Sequence, residues 1–178
     1  MNKYEFSLQP FQPKNIDVEI QGEISRRDNR LIFRYELKSD FKQLEVPNIV
    51  EHEARKHELW KTTCFELFLG IENSTCYWEF NISPSGNWNI YRFDDYRAGM
   101  EEEDRIQSLP CYIYSESHKV LLGTDGIDIG KLADKDQKLN VSITTVVKEK
   151  NGNFSYWALK HCGEEPDFHL RDSFVLDM

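Results

Sequence analysis

The chain has 178 residues, 39% hydrophobic and 30% charged, and a formal net charge of -9, which suits one packed core and is short of two full domains. The negative charge opposes loose attraction to nucleic-acid phosphates or anionic membranes, so neither is an expected partner. No apolar run is long enough for a bilayer helix, and the opening MNKYEFSLQPFQPK is too polar and proline-broken to act as a signal peptide. The expectation is one cytoplasmic domain over 1–178.

Period-two alternation dominates the chain. Ile16, Val18, Ile20 and Ile24 share one parity, as do Leu31, Phe33, Tyr35 and Leu37, and the turn-like Arg27-Asp28-Asn29 between them predicts a hairpin. Further strands are expected over 64–71, 76–83, 87–93, 111–115, 139–147 and 154–160, separated by polar turns such as Pro84-Ser85-Gly86 and Lys150-Asn151-Gly152. Short strands in this number predict an all-β fold, an antiparallel β-sandwich of immunoglobulin-like or jelly-roll-like type. One or two short helices are expected: residues 48–56 as a helical connection, and a turn capped by Asp128 through Leu132. The acidic run 101–104 reads as a solvated loop, since consecutive acids lack the spaced oxygen ligands of a calcium site.

Within 64–71, Phe65, Leu67 and Leu69 face one way and Cys64, Glu66 and Phe68 the other. Glu66 interrupts an apolar run, and burying a lone carboxylate is costly, so it is either a salt-bridged strand residue or a ligand-binding acid. Residues 77–100, YWEFNISPSGNWNIYRFDDYRAGM, carry seven aromatics in 24 positions. Tyr77, Glu79, Asn81 and Ser83 alternate with Trp78, Phe80 and Ile82; after the turn, Trp88, Ile90 and Arg92 alternate with Asn89, Tyr91 and Phe93. Ring faces with amide, carboxylate and guanidinium groups between them suit recognition of a sugar or another planar ligand. Trp88, following a glycine turn, is expected to be the exposed ring.

Toward the carboxyl end, Trp157, Leu159 and His161 share a parity, a polar loop follows over 163–167, and His169 comes shortly after. The histidines His52, His57, His118, His161 and His169 lack zinc spacing, and no transition-metal site is expected. The cysteines Cys64, Cys76, Cys111 and Cys162 form no C-x-x-C pair and are expected to remain thiols. Ser85 lacks the context of a nucleophile elbow, so no catalytic residue is assigned.

LWKTTCFELFLG, the aromatic hairpin with its N-x-S-P-S-G turn, and the closing HCGEEPDFHLRDSF together resemble DOMON-like proteins related to family 9 carbohydrate-binding modules, from Trp60 to the carboxyl end. The resemblance implies a β-sandwich that binds sugars or haem rather than catalysing a reaction, with Trp60, Glu66, Glu79, Asn81 and Trp88 around the ligand. Two departures stand out. Thr63 occupies a position where an aspartate is common, and the family's members are usually secreted and attached to an enzyme.

The leading expectation is therefore a non-catalytic binder of a carbohydrate-like small molecule. Its ligand residues are Trp60, Glu66, Glu79, Asn81, Trp88, Arg92 and His161, with Trp60 and Trp88 as stacking platforms. An intracellular ligand such as a sugar phosphate or nucleotide sugar would bring Arg92 and Lys160 to a phosphate. No cofactor is required by this reading. The first alternative is haem, ligated by Met100 with His161 or His169. The second is a carboxylate-based hydrolase or isomerase using Glu66 with Glu79, or with His161 as proton carrier.

Overall fold

Strands with one apolar parity must bury that face against another sheet, and here two antiparallel sheets do so. The computed structural model describes residues 2–13 and 16–178. In chain order the strands are β1 (Asn2–Ser7), β2 (Gln9–Pro10), β3 (Val18–Arg27), β4 (Arg30–Ser39), β5 (Cys64–Ile71), β6 (Tyr77–Ile82) and β7 (Trp88–Phe93), then β8 (Glu101–Glu102), β9 (Tyr112–Ser115), β10 (Lys119–Asp128), β11 (Leu139–Lys148), β12 (Phe154–Ala158) and β13 (Leu176–Asp177). One sheet runs β1-β3-β4-β10-β9; the other runs β2-β12-β11-β5-β6-β7-β8, with β13 paired to β11. Every strand pair is antiparallel, and the fold is an all-β sandwich.

The inner faces meet in one core. Ile20, Phe33, Tyr35 and Leu122 from the first sheet pack with Phe65, Leu67, Trp78, Phe80, Ile143 and Trp157 from the second. Full burial of an apolar side chain of this size stabilises by about 1.5–3 kcal/mol. Tyr35 also crosses the core, donating its hydroxyl to the backbone carbonyl of Glu66 at 2.7 Å. The first hairpin closes through Asp28, whose φ of 53° is the left-handed conformation that aspartate tolerates in a tight turn.

Two local expectations are overturned. Residues 48–56 are not helical: the Val50 amide donates to the Ser85 carbonyl at 2.9 Å, the Lys56 amide donates to the Trp88 carbonyl at 2.9 Å, and the Trp88 amide donates to the Ala54 carbonyl at 3.1 Å. The stretch is too short for a stable helix, and the free edge of β7 offers its backbone better partners. The acidic run is not a solvated loop either. Glu101 and Glu102 form β8 against β7, and Glu103 is buried, accepting the Trp78 indole N–H at 2.9 Å and pairing with Arg105. The Asp128 turn forms as expected, with the Gly130 amide donating to the Asp128 carboxylate at 2.9 Å and the Leu132 amide to the Ile129 carbonyl at 2.8 Å. Among the described residues no helix is long and apolar enough to cross a membrane.

The outer face of the second sheet is also covered. Residues 57–61 and 166–174 lie over it, so that Phe68, Tyr77, Tyr91, Phe93, Phe168 and Phe174 belong to a second apolar cluster. Every residue of β6 is therefore buried on one face or the other. The closing segment is fastened by Arg171, which donates to the Ile71 carbonyl at 3.0 Å and lies 4.7 Å over the Phe174 ring. Its guanidinium occupies the space above Gly70, where any Cβ would overlap it.

Candidate functional site

Strand register places the outward residues of β11, β5, β6 and β7 in cross-strand rows. Thr144, Glu66, Asn81 and Asn89 form one row, and Ser142, Phe68, Glu79 and Tyr91 form the next. Glu66 and Glu79 are thus diagonal neighbours on adjacent strands, roughly 7–8 Å apart at the backbone. They share the floor of a hollow of about 320 Å³ whose walls are Trp60, Phe68, Phe93, Tyr156 and Phe168. Arg97, Met100 and His169 complete its rim.

Both carboxyls are almost wholly buried, Glu66 at 3% and Glu79 at 5% exposure. One oxygen of Glu66 accepts the Thr144 hydroxyl at 3.1 Å. The other has no hydrogen-bond partner among the described residues and is not sealed from solvent, so it opens onto the hollow. Glu79 accepts from the Asn81 amide at 2.7 Å through Oε1, while its Oε2 lies 3.8 Å from His169 Nε2, beyond hydrogen-bond reach. Burial raises both carboxyls above the ordinary range, Glu79 to about 7, and the neighbouring Glu79 charge pushes Glu66 further in the same direction.

His169 is held from behind by the Tyr77 hydroxyl, 2.8 Å from Nδ1. Burial and the nearby Arg97 charge lower its pKa to about 4, so the imidazole is neutral near pH 7. Arg97 is itself committed, donating to Asp167 at 2.9 Å, and the same Asp167 oxygen accepts the His169 backbone amide at 3.0 Å. Asp167 also accepts the Tyr96 hydroxyl at 2.5 Å.

Of the sequence-derived site residues, Trp60, Glu66 and Glu79 line the hollow, and Asn81 lies beneath it as the Glu79 partner. Trp60 is half-buried and packs edge-on against Tyr91 at 5.7 Å. The other three are placed elsewhere. Trp88 is not an exposed platform: it is 4% exposed, belongs to the core between the sheets and carries the Arg55 guanidinium over its ring at 4.4 Å. Its parity with Ile90 turns it inward, whatever the preceding turn does. Arg92 shares that parity near the end of β7, away from the hollow, and pairs with Asp94 at 2.7 Å. His161 lies beside Phe11 and Phe168, outside the hollow's lining, with Nε2 on the Gln9 carbonyl at 2.8 Å.

The other phosphate candidate, Lys160, donates to the Asp172 carbonyl at 3.2 Å. Thr63 is structural: wholly buried, it donates to the Glu45 carbonyl at 2.7 Å and accepts the Lys148 amide at 3.1 Å.

Sequence reasoning missed Tyr156, Phe168 and Arg97 as contributors and offered His169 only as a haem ligand. Parity could have found Tyr156, which shares the outer face with Val146 across the β11–β12 ladder. Phe168 and His169 lie in a segment without regular structure, and only its fold back over Phe68 reveals them.

Fold and site together define a β-sandwich with an aromatic-walled, carboxyl-floored hollow on the outer face of one sheet. No family model and no curated protein matches the chain. Among solved structures it is similar to a putative carbohydrate-binding protein from Bacteroides uniformis, with a TM-score of 0.65 and 14% identity, covering 94% of this chain and 84% of that one. The likeness establishes the shared fold.

Proposed function

We propose that this chain is a non-catalytic binding domain whose hollow holds a small carbohydrate or glycoconjugate. The observation that carries this reading is the meeting of Trp60, Phe68 and Phe93 with two hydrogen-bonding carboxyls in one open concavity. Ring faces suit the C–H side of a sugar, and an unpartnered carboxyl oxygen suits its hydroxyls. The structural neighbour's description points the same way. A DOMON-like or family 9-like ancestry and a cytoplasmic setting belong to this reading, the first on the resemblance of residues 60–178.

Haem fits the site less well. His161 Nε2 is taken by a backbone carbonyl, His169 Nδ1 is taken by Tyr77, and His169 Nε2 faces Glu79. Met100 is 47% exposed on the rim, so a buried axial pair is not assembled. The enzymatic alternative loses His161 as a proton carrier for the same reason.

With a few stacking and polar contacts, affinity is expected in the micromolar-to-millimolar range, about -4 to -8 kcal/mol. A glycan array followed by titration of ¹⁵N-tryptophan-labelled protein tests the reading. The Trp60 indole signal is expected to move while Trp78, Trp88 and Trp157 stay fixed. Silence of Trp60 toward every arrayed sugar would end the proposal.

A further inference from the structure

The two carboxyls of the hollow have no cation of their own within the protein. From β5 comes Glu66 and from β6 comes Glu79, each with one oxygen lacking a hydrogen-bond partner among the described residues. From the loop after β7 comes Arg97, whose guanidinium is paired with Asp167 of the closing segment. That segment also brings His169, whose Nδ1 is occupied by Tyr77. β11 and β12 contribute Val146 and Tyr156, and neither brings a cationic side chain. The two carboxyls are therefore left without a dedicated cation, and burial favours their protonated forms over the ionised pair.

A cationic ligand would favour the ionised pair and gain its attraction. The walls favour it independently, because aromatic rings draw a cation by their quadrupoles, and Trp60, Phe68, Phe93, Tyr156 and Phe168 surround the same space. An ammonium also donates the hydrogen bonds that the open oxygens of Glu66 and Glu79 can accept. A phosphate meets the opposite situation, since Arg92 and Lys160 lie elsewhere and Arg97 is already paired.

Building on the carbohydrate-binding reading, we propose that the hollow selects a sugar bearing a free amine, with the ammonium seated between Glu66 and Glu79 and the rings of Trp60 and Phe68 beside it. N-acetylation removes the charge and phosphorylation adds the wrong one, so both modifications exclude the ligand.

The test compares glucosamine and its oligomers with N-acetylglucosamine and its oligomers, glucose and glucose 6-phosphate, using the Trp60 indole signal and titration calorimetry. The amine form is expected to bind at least 10-fold more tightly than its acetylated or neutral counterpart, with the preference shrinking as salt rises. Glu66→Gln and Glu79→Gln keep side-chain shape and cannot ionise, so both variants are expected to fold. The amine preference, read as the ratio of amine to neutral sugar within the same variant, should fall below about 3-fold in each. Equal or tighter binding of the acetylated sugars would overturn the amine assignment and leave the carbohydrate reading standing. A Trp60 response to trimethylammonium but to no sugar would uphold ammonium recognition and sink the carbohydrate reading. No response to any of these probes would overturn both.

Discussion

The Tyr77 hydroxyl lies 2.8 Å from His169 Nδ1, and the same oxygen accepts the Arg97 backbone amide at 3.2 Å. With one lone pair engaged by that amide, the phenol is expected to donate its proton to Nδ1. The neutral imidazole must then carry its hydrogen on Nε2, the atom that faces Glu79. On this expectation a phenol on one strand sets a donor at the rim of the hollow.

Replacing Tyr77 by Phe should release that choice. The Arg97 amide and His169 Nδ1 lose their partner together, and a destabilisation of about 1–3 kcal/mol is expected. Imidazole ¹⁵N shifts should report the Nε2–H tautomer in the parent protein and a mixture in Tyr77→Phe. An unchanged tautomer would mean that another contact sets it.

Stability should carry an opposed pH signature from Glu79 and His169. Burial raises Glu79 from 4.5 to about 7, so its contribution is full below pH 4.5 and is lost as pH rises through 7. Burial lowers His169 from 6.5 to about 4, so its contribution is full above pH 6.5 and is lost as pH falls through 4. Glu66 acts in the same direction as Glu79. In Glu79→Gln the first contribution disappears and that of Glu66 shrinks with it, while that of His169 remains. The variant should gain on the parent between pH 4.5 and 7 by up to roughly 3 kcal/mol, read from urea unfolding at stepped pH. A difference independent of pH would show that the carboxyl is not held protonated by burial.

The two tryptophans first paired as platforms should separate cleanly. Trp88→Ala empties part of the core and should cost about 3–5 kcal/mol of stability. Trp60→Ala removes a half-buried ring from the rim and should cost no more than about 1 kcal/mol while weakening ligand binding at least 10-fold. Thermal unfolding and titration of both variants would reveal a reversed pattern if Trp60 is the structural ring.

Glu103→Ala probes the buried end of the acidic run. It leaves the Trp78 indole N–H without its acceptor and frees Arg105, for an expected loss of about 1–3 kcal/mol. Glu101→Ala, on the exposed side of β8, should change stability by less than about 0.5 kcal/mol. Equal effects from the two substitutions would contradict the burial difference.

Gly70→Ala tests the fastening of the closing segment. The added methyl overlaps the Arg171 guanidinium, and a cost of about 1–3 kcal/mol is expected. Hydrogen exchange over residues 166–174 should accelerate while β5 and β11 remain protected. Uniform loss of protection would place the disturbance in the sandwich itself.

Much of the sandwich is legible in the sequence because alternation is a local signal. The strand expected over 64–71 forms as Cys64–Ile71, and the hairpin around Asp28 closes where the turn residues place it. β10 went unrecognised because KVLLGTDGID breaks its own alternation with a register shift between Thr124 and Ile127. Parity separates the two faces of a strand without saying which one meets the other sheet, and for this reason Trp88, expected outward, lies in the core. His169 and Phe168 depend on a return of irregular chain across β5, a long-range event with no periodic trace. The buried state of Glu103 was hidden by neighbours of the same charge, since only the position of Trp78 distinguishes it from Glu101 and Glu102.

The sheet that carries the hollow ends on both sides in short covering pieces. β2 and the Phe11 amide close the outer edge of β12, while β8 and residues 54–56 close that of β7. Few backbone donors and acceptors are left there to template a strand from another molecule. Growth of this sheet by strand addition from a second copy is thereby disfavoured.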